Sequence, residues 1–105
     1  MAGKSIKGER EMEINEFVQK LHQDQVERIK KDYPALDAEI EGKITVHHGR
    51  KYIRVDVGFS GKYMIDQAGN IYGIKAYGVP HFGKRYGNLK TINQFYWGNY
   101  SAEKK

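Results

Sequence analysis

The chain has 105 residues, which suffices for one domain but not for two independent hydrophobic cores. It contains no cysteine, which excludes disulfides and thiolate metal sites and favours a reducing compartment. Its net charge of +5 favours a polyanionic partner, and no apolar stretch is typical of a signal peptide or a membrane span, so we expect a cytoplasmic protein without membrane contact.

The first predicted element is an amphipathic helix. Residues 1–8 contain two glycines and little apolar content, so we expect a flexible N-terminus. From about Glu9 to Tyr33, apolar residues recur at spacings typical of one helical face, and Pro34 should end the helix. Acidic side chains near its start and basic ones near its end suit the helix dipole. We interpret the apolar face as core packing rather than as a groove for a partner.

The second predicted element is a β-sheet. After Gly42 the period of the apolar residues falls to two, which is typical of strands. We predict strands over residues 44–47, 52–57, 62–66 and 71–76, joined by tight turns. They would form a four-stranded antiparallel meander with one apolar face under the helix. The exposed edges of such a sheet could pair between copies of the chain, which would give a homo-oligomer.

The last third of the chain has no sustained period. We expect residues 77–88 to form a loop or a distorted hairpin, because they contain Gly78, Pro80, Gly83 and Gly87. Thr91 is a suitable N-cap for a short C-terminal helix. Residues 101–105 are expected to be a flexible tail. The sequence thus predicts a single α+β domain over residues 9–100, with an N-terminal amphipathic helix packed on a four-stranded antiparallel β-meander, then a glycine-rich loop and a short C-terminal helix.

Positive charge and aromatic residues are also concentrated in this last third. Residues 71–105 contain six basic side chains, one acidic side chain and eight of the thirteen aromatic residues. Cations neutralise phosphates, flat rings stack on bases, and glycines let the backbone approach a ligand. We therefore predict a binding site for nucleic acid or a nucleotide, formed by Lys75, Tyr77, His81, Phe82, Lys84, Arg85, Tyr86 and Lys90. The alternative is that some of these rings are core residues and that the loop is merely solvated.

No pattern in the sequence indicates catalysis, a metal or a cofactor. The run Gly-Lys-Arg at 83–85 lacks both the trailing Ser or Thr and the strand-to-helix setting of a P-loop. His47 and His48 are adjacent, so in a strand they would point to opposite faces. Asp56 and Asp66 could share a divalent ion, but ion pairs with basic neighbours are the commoner arrangement. We expect a protein that is not an enzyme.

A family resemblance is carried by the motif D-x-x-G-x-I-Y at residues 66–72, by Y-G-V-P-H at 77–81 and by Y-G-N-L at 86–89. Over residues 51–88 the chain resembles small bacteriophage-encoded proteins of unknown function, in which such a hairpin leads into a loop rich in Gly, Pro, His and Lys. The resemblance implies no catalytic residue. It implies a phage protein that acts in the host bacterial cytoplasm on nucleic acid or on host defence. The alternative function is therefore a protein-binding inhibitor of a host defence enzyme, of the anti-defence or anti-CRISPR type.

Overall fold

The computed structural model of the chain describes residues 2–58, 60–76, 78–98 and 102–105, with side chains from residue 10 onwards. Its fold is α+β, as predicted, and begins with two helices, α1 (Ala2–Asp32) and α2 (Ala38–Glu41). Five strands follow: β1 (Ile44–His48), β2 (Ile53–Val57), β3 (Ser60–Ile65), β4 (Asn70–Ala76) and β5 (Val79–Asn88). A 3₁₀ helix (Ile92–Gln94) and two short strands, β6 (Phe95–Tyr96) and β7 (Glu103–Lys104), complete the described chain.

Helix α1 is longer than the sequence predicts. It begins at Ala2 rather than near Glu9, so the acidic side chains expected in its first turn lie further inside the helix. Its last turn is basic and it ends at Asp32, directly before Tyr33-Pro34, as predicted. Three side chains of its apolar stripe are 4% exposed or less, namely Ile14, Phe17 and Leu21. Among the described residues, no helix is long and apolar enough to cross a membrane.

The five strands form an antiparallel meander in which each strand pairs with the next, and β1 and β5 are the edges. Neighbouring side chains along a strand point to opposite faces of the sheet. Val55 and its register partner Tyr63 lie on the face that α1 packs against, which we call the covered face. Arg54, Met64 and Tyr72, which align across β2, β3 and β4, lie on the opposite face, which we call the outer face.

Residues 79–88 form the fifth strand, β5, so the distorted hairpin, and not the loop, is the arrangement found in this part of the chain. Its pairing with β4 contains three register shifts, and these interrupt the alternation that would reveal a strand. The largest shift lies between the pairs Tyr72↔Arg85 and Gly73↔His81, which leaves residues 82–84 without a partner on β4. We call residues 82–84 the β5 bulge. Pro80 is tolerated because β5 is an edge strand.

The C-terminal region also differs from the prediction. The hydroxyl of Thr91 does not cap a helix; it accepts a hydrogen bond from the Asn88 N–H at 3.0 Å. Only a single 3₁₀ turn follows, and the chain then becomes extended in β6. In place of the predicted flexible tail, β7 pairs with β6 through Phe95↔Lys104 and Tyr96↔Glu103.

The core is built from aromatic rings between α1 and the covered face. Trp97 is fully buried and lies 4.8 Å from Phe17 and 5.3 Å from Tyr63 between ring centroids, in edge-to-face arrangements. Two buried polar side chains of α1 hold the backbone of Trp97 in place. Asp24 accepts a hydrogen bond from its N–H at 3.0 Å, and Gln25 donates to its carbonyl at 2.5 Å. The C-terminal segment is therefore fixed to α1 by polar contacts inside an otherwise apolar core.

Candidate functional site

Of the eight residues predicted to bind a ligand, the seven that the structure describes do not form one site. Phe82 and Arg85 lie with the outer face, whereas Tyr86 packs against the core on the covered face, 5.7 Å from Tyr63 and 6.4 Å from Trp97 between ring centroids. His81, the register partner of Gly73, is partly buried. Tyr77 lies outside the described residues. Since strand β5 replaces the predicted loop, its successive side chains divide between the two faces of the sheet.

Two of the predicted lysines lie away from the middle of β5. Lys75 is exposed near the end of β4, and Lys90 is exposed in the turn that follows β5. The backbone N–H of Lys90 donates to the side-chain oxygen of Asn88 at 2.8 Å, which fixes the turn but leaves the ammonium group in solvent.

Three aromatic rings form a cluster on the outer face. Phe82 lies 5.1 Å from Tyr72, with the rings nearly perpendicular, and 6.4 Å from Tyr52. We call these three residues the outer aromatic cluster. Phe82 is 62% exposed, so much of its ring surface faces solvent. The position of Phe82 in the β5 bulge explains this exposure, because the residue is outside the strand ladder and can project over the face.

Below this cluster the outer face has its own small apolar layer. Met64 is only 4% exposed although α1 lies on the other side of the sheet. Its register partners are Arg54 and Tyr72, and Tyr72 in turn contacts Phe82. The outer aromatic cluster therefore borders a residue that is buried on the outer face itself.

The D-x-x-G-x-I-Y motif is a turn held by one carboxylate. Asp66 accepts hydrogen bonds from the backbone N–H groups of Ala68 and Asn70, from the Asn70 amide and from the Tyr72 hydroxyl, at 2.9–3.1 Å. Gly69 adopts a φ of +89°, which favours glycine. Partial burial acts to raise the pKa of Asp66, but the hydrogen bonds outweigh it and hold the pKa below its usual range. The motif thus fixes the β3–β4 turn and the orientation of the Tyr72 ring.

Arg85 extends this hydrogen-bond network to β5. Its Nη2 donates to the Asn70 side-chain oxygen at 2.6 Å, and its Nε donates to the Gly87 carbonyl at 3.4 Å. Arginine has five N–H donors, so these two contacts orient the guanidinium and leave donors for a further acceptor. Arg85 is exposed and is the register partner of Tyr72. A cation with a fixed direction therefore borders the outer aromatic cluster.

The other charges near the outer aromatic cluster are two exposed cations that precede Tyr52 and one carboxylate engaged in ion pairs. Arg50 and Lys51 are exposed in the turn directly before Tyr52. Asp56 is the only acidic residue in the described strands β1–β5, and its carboxylate is engaged by Arg54 and His47, each at 3.1 Å. The pairing of Asp56 with Arg54 is the arrangement expected from the sequence. No group of three or more potential metal ligands occurs among the described residues.

A second feature lies between β3 and β5, beside Tyr63 and Tyr86 of the covered face. A cavity of about 180 Å³ opens between β3 and β5, and we call it the β3–β5 pocket. It takes Lys84 and Tyr86 from β5, Ser60, Lys62 and Tyr63 from β3, and Gly73 from the strand between them. Lys84 and Tyr86 were predicted to contact a ligand, but Lys62 and Tyr63 were not. Sequence reasoning also missed Tyr52, which alternation would have placed on the same face as Arg54.

Comparison with protein-family models, with curated proteins and with solved structures finds no match. The resemblance to small bacteriophage proteins therefore stays a prediction.

Proposed function

We propose that the protein binds single-stranded nucleic acid on the outer face of its sheet. The observation that carries this proposal is the exposed ring of Phe82, held against Tyr72 on the sheet face that none of the described helices covers. Bases of a single strand expose flat apolar surfaces that stack on such rings, whereas the bases of a duplex are already stacked on each other. In this proposal Tyr52, Tyr72 and Phe82 form the stacking surface.

Basic side chains on two sides of the cluster would contact the phosphates. Arg85 borders Tyr72, and Arg50 and Lys51 precede Tyr52, so a strand that crosses the three rings has a cation near each end of its path. Such contacts fix the position of a strand but read little of its sequence. We therefore expect binding with weak base preference, in the cytoplasm, where such strands occur.

The experiment is fluorescence anisotropy of labelled oligonucleotides, single-stranded and duplex, at low and physiological salt. One stacked base contributes about 1–3 kcal/mol, so Phe82→Ala should weaken single-strand binding about 5- to 150-fold. Tyr33→Ala is the matched control, because Tyr33 is 55% exposed but lies after α1, away from the sheet. Absence of binding by the unaltered protein at low salt, or an equal loss in both variants, would contradict the proposal.

The second candidate is a protein-binding inhibitor. Three exposed apolar side chains follow one another around the connection between α1 and α2, namely Tyr33, Leu36 and Ile40, each at least 50% exposed. Exposed apolar groups that lie close together are typical of protein interfaces. In the bacteriophage setting that the resemblance implies, the partner would be a host defence enzyme. This candidate predicts loss of inhibition in Leu36→Ser and Ile40→Ser variants, and no oligonucleotide binding by the purified protein alone.

A further inference from the structure

The β3–β5 pocket contains two lysines and no carboxylate among its lining residues in the described chain. Lys62 is half-buried, and this burial lowers its pKa, with the positive charge of Arg28 adding to the effect. Lys84 approaches from β5, on the opposite side of Gly73. A concentration of positive charge in a partly desolvated space is stabilised when an anion enters it.

The floor of the pocket is open because of glycine. A Cβ at Gly73 would lie 3.3 Å from the Cβ of Lys84, which is tighter than nine in ten real contacts of this kind, and 3.4 Å from the Tyr86 ring. Gly73 does not have a positive φ, so its backbone conformation does not explain the glycine at this position. Glycine is therefore required here for space, both for the Tyr86 ring and for the volume beside it.

Hydroxyl groups supply donors around this space. Tyr63 and Tyr86 line the pocket from neighbouring sides, and Ser60 lies at its exposed end. Tyr63 is 1% exposed; burial raises its pKa, with the nearby Tyr86 contributing in the same direction and the backbone of Ala102 opposing it. The Tyr63 hydroxyl oxygen is itself buried, and the backbone of Ala102 lies beside it. Tyr86 is only partly buried and its hydroxyl lies beside the space over Gly73, so this hydroxyl can donate to an acceptor that enters the pocket.

We propose that the β3–β5 pocket binds a phosphate monoester group, with Lys62 and Lys84 as the cationic contacts and the hydroxyl of Tyr86 as a hydrogen-bond donor. The volume of about 180 Å³ is below the range of roughly 300–1,000 Å³ that holds a whole small-molecule ligand, so the pocket fits a phosphate rather than a complete nucleotide. The site does not depend on stacking at the outer face, and it would take the terminal phosphate of either a nucleotide or a nucleic-acid strand.

The test is titration of the ¹⁵N-labelled protein with inorganic phosphate, followed by NMR, with sodium chloride at matched ionic strength as the reference. We expect saturable shifts confined to the amides of the pocket residues on β3, β4 and β5. Lys84→Met should weaken binding at least about fivefold, as loss of a charged hydrogen-bond donor does, and Tyr86→Phe should weaken it while keeping the ring in the core. Lys75→Met is the matched control, because Lys75 is exposed on β4 and does not line the pocket.

Diffuse shifts that chloride reproduces, or equal affinity in the Lys84→Met and Lys75→Met variants, would overturn the proposal. Phe82→Ala should leave the phosphate titration unchanged, so failure of the outer-face proposal and failure of this one are distinguishable. Oligonucleotides with a 5′-phosphate or a 5′-hydroxyl, compared with a nucleoside 5′-monophosphate, then identify the source of the group. A preference for the phosphorylated oligonucleotide that Lys84→Met removes indicates a strand end, and equal binding of the monophosphate indicates a free nucleotide.

Discussion

The two faces of the sheet carry similar aromatic clusters that the fold uses in different ways. On the covered face Phe17, Tyr63 and Trp97 meet edge to face and are at most 1% exposed. On the outer face Tyr72 and Phe82 meet at a similar angle and distance, yet Phe82 is 62% exposed. The geometry between the rings is therefore alike, and what differs is whether a second element covers them. Rings under a helix stabilise the fold, and rings without one are available to a ligand.

The contrast is sharpest along β3, where Tyr63 and Met64 are neighbours in sequence. Tyr63 faces α1, while Met64 faces away from it, and both are almost fully buried. Met64 is covered by side chains of its own face and not by a helix. The outer face thus buries Met64 while it leaves most of the Phe82 ring in solvent.

The largest predicted effect is a loss of stability when a ring of the covered face is removed. Trp97→Ala removes a fully buried ring, and large-to-small changes of this kind cost about 3–5 kcal/mol of unfolding free energy. Phe82→Ala should cost under about 1 kcal/mol, since its ring is mostly in solvent. Urea denaturation followed by circular dichroism measures both. Similar losses of unfolding free energy in the two variants would show that the outer aromatic cluster also stabilises the fold. The two faces would then not differ in the way described.

A smaller effect concerns the turn that orients the outer cluster. The pKa of Asp66 is lowered in the folded state, so its stabilising effect is fully present above about pH 4, near its usual pKa of 3.8, and is lost as the pH falls through the lower folded value. Asp66→Asn should therefore reduce stability by about 1 kcal/mol at pH 7, and the difference from the unaltered protein should shrink below pH 4.

Denaturation midpoints measured from pH 7 to pH 2 test this prediction. Asp37→Asn is a suitable control, because Asp37 also accepts backbone hydrogen bonds, at the start of α2, but lies away from the outer face. A difference between Asp66→Asn and the unaltered protein that stays constant with pH would show that the carboxylate charge does not hold the turn.

The smallest predicted effect concerns the edge of the outer face. Arg85→Ala should lower the slope of log affinity against log salt concentration by about 0.7 for a single strand, the value for one lost phosphate contact. Lys30→Ala changes the net charge equally, but Lys30 is exposed on α1, on the other side of the sheet. Equal changes of slope in the two variants would indicate attraction by net charge alone and not a defined path.

Much of the fold can be predicted from the local periodicity of apolar residues, whereas the composition of the candidate site cannot. The end of α1 and the pairing of the first strands were predictable, because Pro34 stops the helix and apolar residues alternate from Ile44 onwards. The course of strand β5 was not predictable in this way, because its three register shifts remove the alternation of side chains that identifies a strand. The predicted site was assembled from residues near in sequence, so it joined Phe82 and Tyr86, which the fold sends to opposite faces. Tyr52 was missed because it comes from a distant hairpin.

The β5 bulge is a place where the amino-acid sequence can vary with little effect on the fold. Residues 82–84 have no partner on β4, so they can be exchanged, or further residues added, without shifting the register on either side. One of the three, Phe82, lies on the outer face, and another, Lys84, lines the β3–β5 pocket. Variation in a segment of three residues could therefore alter both surfaces at little cost to the fold, which makes the bulge the place where selection could most readily produce new specificity.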